Sequence, residues 1–303
     1  SNNITTRTAE RYRQLAKNQI CPFLGAMPLQ KLRPLHIEEW HAILRTSGHA
    51  RSKGGVSPRT IGHAHRLLTH AISDAAENEL VVRNVAQTKS APRVVAHEKT
   101  IVQDVAAFIE KMKPRPRYYF PAMVSLFTGM RVSEVLALRW GRIDLERKTI
   151  KVLDSIEVTK SHGLRFKAPK TAAGRRTITL PDFLVDVLRE HRKAQLELRL
   201  RLGAGKLQNE DLLFADIDGG ALHPYHFGTL WSAWAARAGF PDLTFHALRH
   251  THASQLIDSG VDIVTISKRL GHATPTVTLS TYAHLFRKDD GKAAAAINAA
   301  LKN

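Results

Sequence analysis

With 303 residues, 43% of them hydrophobic and 24% charged, the chain has an ordinary globular composition and is long enough for two domains, each with its own core. It holds no run of 18 apolar residues and no basic leader followed by an apolar stretch, so neither a membrane span nor a secretory signal is predicted, and one cysteine, Cys21, excludes an internal disulfide framework. A formal net charge of +18 points to a polyanionic partner, nucleic acid before any other.

The charge is not confined to a tail. Residues 1–97 carry 14 basic and 6 acidic side chains, and residues 98–303 carry 31 and 21, so both halves are basic. Cys21 reads as a small buried hydrophobe in a reducing, cytoplasmic compartment. A chain starting at Ser1 instead of Met is expected to be a processed or truncated form.

The first 90 residues read as helix throughout. "TTRTAERYRQLAKNQI" carries an apolar stripe at Tyr12, Leu15, Ala16 and Ile20 and is expected to stop at Pro22. "LHIEEWHAIL" puts Ile37, Trp40, Ile43 and Leu44 on one face. "SPRTIGHAHRLLTHAISDAAENEL" starts with Ser57 as N-cap and Pro58 at the first helical position. Its buried face is predicted to be Ile61, Ala64, Leu68, Ala71, Ile72 and Ala75. Arg59, His63, Arg66 and His70 fall elsewhere on the helix, on a face that suits a phosphate backbone as well as it suits water. "TKSAPRVVAHEKT", residues 88–100, is basic and aperiodic and reads as a linker. The division that follows is a helical domain over 1–90, a linker over 91–100 and a second domain over 101–303.

In the second domain, helical patterns at 102–112, 117–128 and 132–140 lead into strand-like runs at 149–153, 164–169 and 175–180. The last two are joined by "KTAAG", which reads as a hairpin with Gly174 at a left-handed position. Helices then resume from Pro181 to the C-terminus. The fold class is therefore mainly α (α+β), a helical N-terminal domain followed by a mostly helical domain with a small antiparallel sheet. No Gly-rich phosphate loop is present, so neither a dinucleotide nor a nucleoside triphosphate is indicated.

"HALRHTHAS" is the densest chemical stretch. His246 and His250 stand at i, i+4, a zinc-like spacing, but Ala247 occupies the place of a metalloprotease's glutamate and no CxxC partner exists. His246 and Arg249, at i, i+3, suit an anion instead, because a guanidinium matches two phosphate oxygens and a helix N-terminus favours negative charge. "TGMRVSEVLALRW" places Arg131 at a helix start, with Glu134 three residues on to hold a basic neighbour. Lys170 stands at the hairpin entry, His272 follows Gly271, and Tyr282 comes ten residues later. Taken singly, these are a surface lysine, a capping histidine and a core tyrosine.

In this order and spacing, Arg131 in "TGMRVSEVLALRW", Lys170 in "PKTAAGRRTITL", "HALRHTHAS", "LGHATPTVTLSTYAH" and Tyr282 resemble the tyrosine recombinases, the phage integrase family. The resemblance covers about residues 98–290, and the N-terminal helices, closing with "ENELVVRNVA", look like that family's core-binding domain. It implies a site-specific recombinase or integrase of a phage or integrative element that cuts and rejoins double-stranded DNA through a 3′-phosphotyrosine. Tyr282 would be the nucleophile and Lys170 the general acid. Arg131 and Arg249 would clamp the phosphate, and His272 would donate a hydrogen bond to it. His246 would contact the phosphate or take the tyrosine's proton, and Glu134 would be a supporting carboxylate. Met130 stands where family members often carry Leu or Cys. His250 and His252 are expected to pack or hydrogen-bond, not to catalyse.

The resemblance further implies no metal, no ATP and no other cofactor, and a homo-tetramer on DNA. The tail "GKAAAAINAALKN" would dock on a neighbouring subunit, and accessory DNA-bending proteins are possible partners in a bacterial cytoplasm, at the nucleoid. Arg59, His63 and Arg66 are the candidate DNA contacts of the N-terminal domain. Two readings stay open beside this one: DNA relaxation of the type IB topoisomerase kind, and a DNA-binding regulator without catalysis.

Overall fold

The computed structural model describes residues 4–48, 54–94, 100–169, 171–285 and 298. The chain divides into two compact units, Ser1–Glu98 with Thr159–Gly163, and Lys99–Val158 with Leu164–Asn303. No helix among the described residues is long and apolar enough to cross a membrane.

The first unit contains helices α1 (Thr6–Leu15), α2 (Cys21–Leu24), α3 (Pro34–Ser47) and α4 (Pro58–Glu77). The chain does not stop at Pro22 as the sequence suggests. Residues Ala16–Ile20 widen into a π-turn, in which the Cys21 N–H reaches back five residues to the Ala16 carbonyl. The widening shifts the hydrogen-bond ladder, so the missing N–H of Pro22 falls at the start of α2, where no partner is needed. Cys21 is exposed, contrary to the expectation of burial.

Ser57 caps α4 by accepting from the Thr60 N–H at 3.3 Å. Leu15, Ile37, Trp40, Leu44, Ile61, Ala64, Leu68 and Ile72 form one apolar core. Ile43 and Ala71, predicted inward, are exposed. His41 and His65 are buried instead and pair across the core, His41 Nε2 to His65 Nδ1 at 3.1 Å. Two imidazoles can share a proton between them, which lets them sit where an unpaired polar group would be costly.

The second unit opens with α5 (Val105–Met112), α6 (Pro116–Thr128) and a single turn, α7 (Val132–Val135). The helix predicted over 132–140 ends early because its backbone is drawn into tertiary pairing. The Leu213 N–H donates to Leu138 O and the Trp140 N–H to Asp211 O.

Five short strands follow: β1 (Ile143–Asp144), β2 (Thr149–Val152), β3 (Ser155–Thr159), β4 (Gly163–Lys167) and β5 (Arg176–Thr179). The predicted hairpin between 164–169 and 175–180 does not form. β5 lies antiparallel to β2, with Ile178 opposite Ile150, while β4 pairs with β3. The choice follows burial, since Ile150, Val152 and Ile178 all bury in the same core. Gly174 sits in a 3₁₀ turn, Ala172–Gly174, outside the left-handed region. It is glycine for space, because a Cβ there would stand 2.5 Å from Pro169 Cβ.

Helices α8 (Asp182–Arg201), α9 (Pro224–Arg237), α10 (Phe245–Asp258), α11 (Ile263–Leu270) and α12 (Pro275–Tyr282) complete the unit. Most of α6 and α10 is buried, and the two pack on each other at its centre. Trp231 of α9 and Phe245 of α10 meet edge to face at 5.0 Å. Each such fully buried large side chain contributes about 1.5–3 kcal/mol. The result is a rigid base under the N-terminal half of α10, where the polar residues gather.

Candidate active site

α6 ends at Gly129, whose left-handed backbone (φ 69°) turns the chain sharply into Met130 and Arg131. A Cβ at Gly129 would lie 2.6 Å from Leu270 and 2.7 Å from His252, so the position requires glycine for space as well as for conformation. Arg131 is the N-cap of α7. Its N–H donates to Glu134 Oε2 at 3.1 Å and its Nη1 to Glu134 Oε1 at 2.8 Å.

Glu134 is 4% exposed and also accepts from Arg176 Nη2 at 2.9 Å. Burial works against its charge, yet Arg176 and Arg131 outweigh burial and hold its carboxyl below the usual carboxylate range. Arg176 fans out further, to Arg269 O at 2.7 Å and Gly174 O at 3.1 Å.

Thr244 caps α10, accepting from the Ala247 N–H at 3.3 Å, which places His246 in the first helical turn and Arg249 at the start of the second. Arg249 is buried and donates through Nη1 to Gly129 O at 2.6 Å, while its Nη2 meets His272 Nε2 at 2.8 Å. Burial depresses the Arg249 pKa, and nearby Arg131 and Arg176 add repulsion that Glu134 offsets only in part.

α11 ends at Gly271, also left-handed (φ 68°), and Arg131 Nη2 reaches its carbonyl at 3.4 Å. A side chain at Gly271 would run into Arg176 Nη1 at 2.8 Å and Ala173 O at 3.1 Å. His272 follows, with its Nδ1 at 2.7 Å from Thr278 Oγ1. Its pKa falls to about 4, first through burial and then through Arg249 and Arg131. A neutral ring with Nδ1 protonated satisfies both contacts: Nδ1–H donates to Thr278 and Nε2 accepts from Arg249.

Tyr282, the last residue of α12, is 3% exposed and packs with Ala253, Ile257, Ile266 and Leu270. Its hydroxyl lies 2.6 Å from His250 Nδ1. Burial raises its pKa to about 12, with Arg249 pulling in the opposite direction. His246 is exposed, and its ring meets that of His250 edge to face at 4.7 Å.

The structure thus gathers Arg131, Glu134, His246, Arg249, His272 and Tyr282 around the junction of α6, α10 and α11. Lys170 lies outside the described residues, as does nearly all of the C-terminal tail. The turn that follows Lys170 reaches the site, since Ala173 lies against Gly271. In the first unit, Arg59, His63 and Arg66 are all exposed on α4, and Arg66 Nη2 meets His63 Nδ1 at 3.0 Å. Burial lowers the His63 pKa first, followed by Arg66, Arg11 and Arg59.

Arg176 and Arg11 escaped sequence reasoning, whereas His250 makes a hydrogen bond of the kind expected of it, to a partner the sequence did not name. Arg176 carried a weak signal, an "RR" before an alternating strand. Arg11 stands on a different helix from the His63 it faces. His250 showed an i, i+4 relation to His246, but nothing in the sequence ties it to a tyrosine 32 residues away.

The phage integrase family model matches residues 98–289, and the model of the phage integrase N-terminal SAM-like domain matches residues 1–44. A tyrosine recombinase XerC-like protein of Caldanaerobacter subterraneus subsp. tengcongensis is 26% identical, over 95% of this chain and 75% of that protein. The putative prophage phiRv2 integrase of Mycobacterium tuberculosis is 27% identical, over 99% of this chain and 76% of that protein. Among solved structures, the Tn1549 transposon integrase in complex with a circular intermediate DNA shares the fold with a TM-score of 0.82 at 20% identity, covering 98% of this chain and 94% of that one. A lambda integrase dimer bound to a core site does so with a TM-score of 0.64 at 15% identity, covering 95% and 90%. With its family model matched over most of its length and its six polar residues converging on one junction, the chain belongs to the phage integrase family, the tyrosine site-specific recombinases.

Proposed function

We propose that this recombinase cuts and rejoins double-stranded DNA through a 3′-phosphotyrosine formed by Tyr282. The observation that carries the reading is the pairing of Arg131 and Arg249 on either side of Gly271 and His272, with Glu134 only partly offsetting their charge. Two guanidinium groups that repel each other in the free protein are relieved by an anion between them, and a scissile phosphate is such an anion.

In this reading Arg131 and Arg249 hold the non-bridging oxygens, where charge builds in the transition state. Loss of either donor costs about 3–4 kcal/mol of barrier. The exposed His246 contacts the phosphate, His272 holds the Arg249 guanidinium in place through Nε2, and Lys170 protonates the departing 5′ oxygen. The phosphotyrosine stores the energy of the broken bond, so a 5′-hydroxyl from a second strand completes the joining without ATP.

Arg59, His63 and Arg66, joined by Arg11, touch the DNA backbone from the N-terminal domain, residues 1–90, which a linker over 91–100 ties to the catalytic domain. The assembly on DNA is a tetramer closed by exchange of the C-terminal helix, with accessory DNA-bending proteins at the site. It acts in the bacterial cytoplasm, at the nucleoid, in the service of a phage or integrative element.

The test is a suicide DNA substrate that traps the covalent complex. The protein is expected to form a protein–DNA band that Tyr282→Phe does not form. A band retained by Tyr282→Phe removes the nucleophile assignment. Strand exchange between two sites, with no relaxation of supercoils by the protein alone, separates recombination from topoisomerase action.

A further inference from the structure

A phenol cannot attack phosphorus and keep its proton, so the Tyr282 proton needs an acceptor. The sequence offers His246 as one recipient. The geometry favours a different residue. His246 is exposed at the first turn of α10, with its ring edge to face against that of His250 at 4.7 Å. His272 has both ring nitrogens engaged, Nε2 with Arg249 and Nδ1 with Thr278. Arg249 can only donate. His250 Nδ1, by contrast, stands 2.6 Å from the phenolic oxygen, with the two rings tilted edge to face at 5.6 Å.

Resting on the assignment of Tyr282 as nucleophile, we infer that His250 is a catalytic residue of the recombinase, the base that takes the Tyr282 proton during cleavage and returns it during rejoining. With Nε2 protonated, the Nδ1 lone pair accepts the phenolic O–H. As the tyrosine oxygen bonds to phosphorus, its O–H bond breaks and the proton passes to Nδ1. The P–O5′ bond breaks in the same displacement, and the departing 5′ oxygen takes its proton from the acid, Lys170 in the reading above. In rejoining, a 5′-hydroxyl attacks phosphorus and gives its proton back to the acid, and the tyrosine oxygen leaves with the proton that His250 held. No oxidant, metal or further reactant is needed.

Position on the helix explains why His250 serves here. Successive residues of α10 point about 100° apart. Arg249 therefore turns inward to Gly129 and His272, and the next residue faces α12, where Tyr282 ends the helix. The His250 ring touches both the buried phenol and the exposed His246 ring. The two histidines of the i, i+4 pair thus divide the work, one toward the DNA phosphate and one toward the nucleophile. Burial has already made the phenol a weaker acid than usual, which increases the need for a base in contact with it.

Single-turnover cleavage of a suicide DNA substrate tests the assignment, with His250→Ala and His250→Asn each made with tyrosine or with a ring-fluorinated, more acidic tyrosine at position 282. Both variants are expected to bind DNA as the wild type does and to cleave roughly 10²–10³-fold more slowly. Fluorination is expected to recover at least about tenfold in both variants while changing the wild type little, because a more acidic phenol depends less on its base. His250→Asn preserves a hydrogen-bond acceptor without a basic nitrogen and carries the test should the alanine variant fold poorly. Wild-type cleavage by either variant overturns the inference, and so does a defect that fluorination leaves untouched, which marks a packing role. Tyr282→Phe serves as the control. If it still forms the adduct, the nucleophile assignment fails. If it is inert while His250→Ala cleaves normally, only the assignment of the base fails.

Discussion

Glu134 is a carboxylate almost without access to water, facing the guanidinium groups of Arg131 and Arg176. A buried pair of this kind adds little net stability, but breaking it leaves an uncompensated charge. Arg176, 7% exposed in its side chain, would be stranded by Glu134→Ala. The substitution is expected to lower stability by about 3–5 kcal/mol in urea unfolding. It should also release Arg131, so single-turnover cleavage should fall further than the population of folded protein accounts for. Recovery of both properties by Glu134→Asp would show that charge, and not side-chain length, governs the position. Glu134 was legible in the sequence through its spacing from Arg131. Arg176 was not, because its carboxylate partner Glu134 and the Arg269 carbonyl it holds lie on two distant segments.

At the scale of elements, two left-handed glycines set the geometry of the site by ending α6 and α11. Gly129 gives its carbonyl to Arg249 and leaves no room for a methyl group against Leu270 and His252. Gly129→Ala combines a strained backbone with a clash and is expected to cost about 2–4 kcal/mol, read by thermal or urea unfolding. Because the carbonyl must shift, phosphate-dependent cleavage should fall alongside stability. The strands teach a related lesson. "KTAAG" between two β-like runs is a sound local signal for a hairpin, yet β5 reaches past β4 to pair with β2. Local turn chemistry lost to the burial of Ile150, Val152 and Ile178 in one core, a contact that no short window of sequence contains.

Across the whole molecule, charge and buried histidines set the response to solution conditions. His41 and His272 are depressed to about 4 and His252 to about 3, each chiefly by burial. Unfolded histidines titrate near 6.5. Between these values the unfolded chain binds more protons than the folded one, so stability rises with pH across this window. Full stability is expected above pH 6.5 and progressive loss toward pH 4, read as a falling melting temperature. A flat profile over that range would contradict the neutral, buried state of these rings. The net charge of +18 predicts steep salt dependence of DNA binding. Arg59→Ala and Arg66→Ala should each flatten the log–log slope by about 0.9 if each neutralises one phosphate. Fluorescence anisotropy over a salt series measures it, and an unchanged slope would remove that residue from the DNA face.

The sequence by itself determined the family, the mostly helical class and the order of Arg131, Glu134, His246, Arg249, His272 and Tyr282, because caps, helical periodicity and motif spacing are local properties written in consecutive residues. Only the tertiary structure decided which of two neighbouring histidines meets the tyrosine, which strand pairs with β5, and which arginine holds Glu134 from behind. Each of those depends on burial of side chains far apart in the chain. In "HALRHTHAS" the zinc-like spacing of His246 and His250 was visible from the start, and its meaning depended on α12 bringing Tyr282 to within 2.6 Å of the second ring.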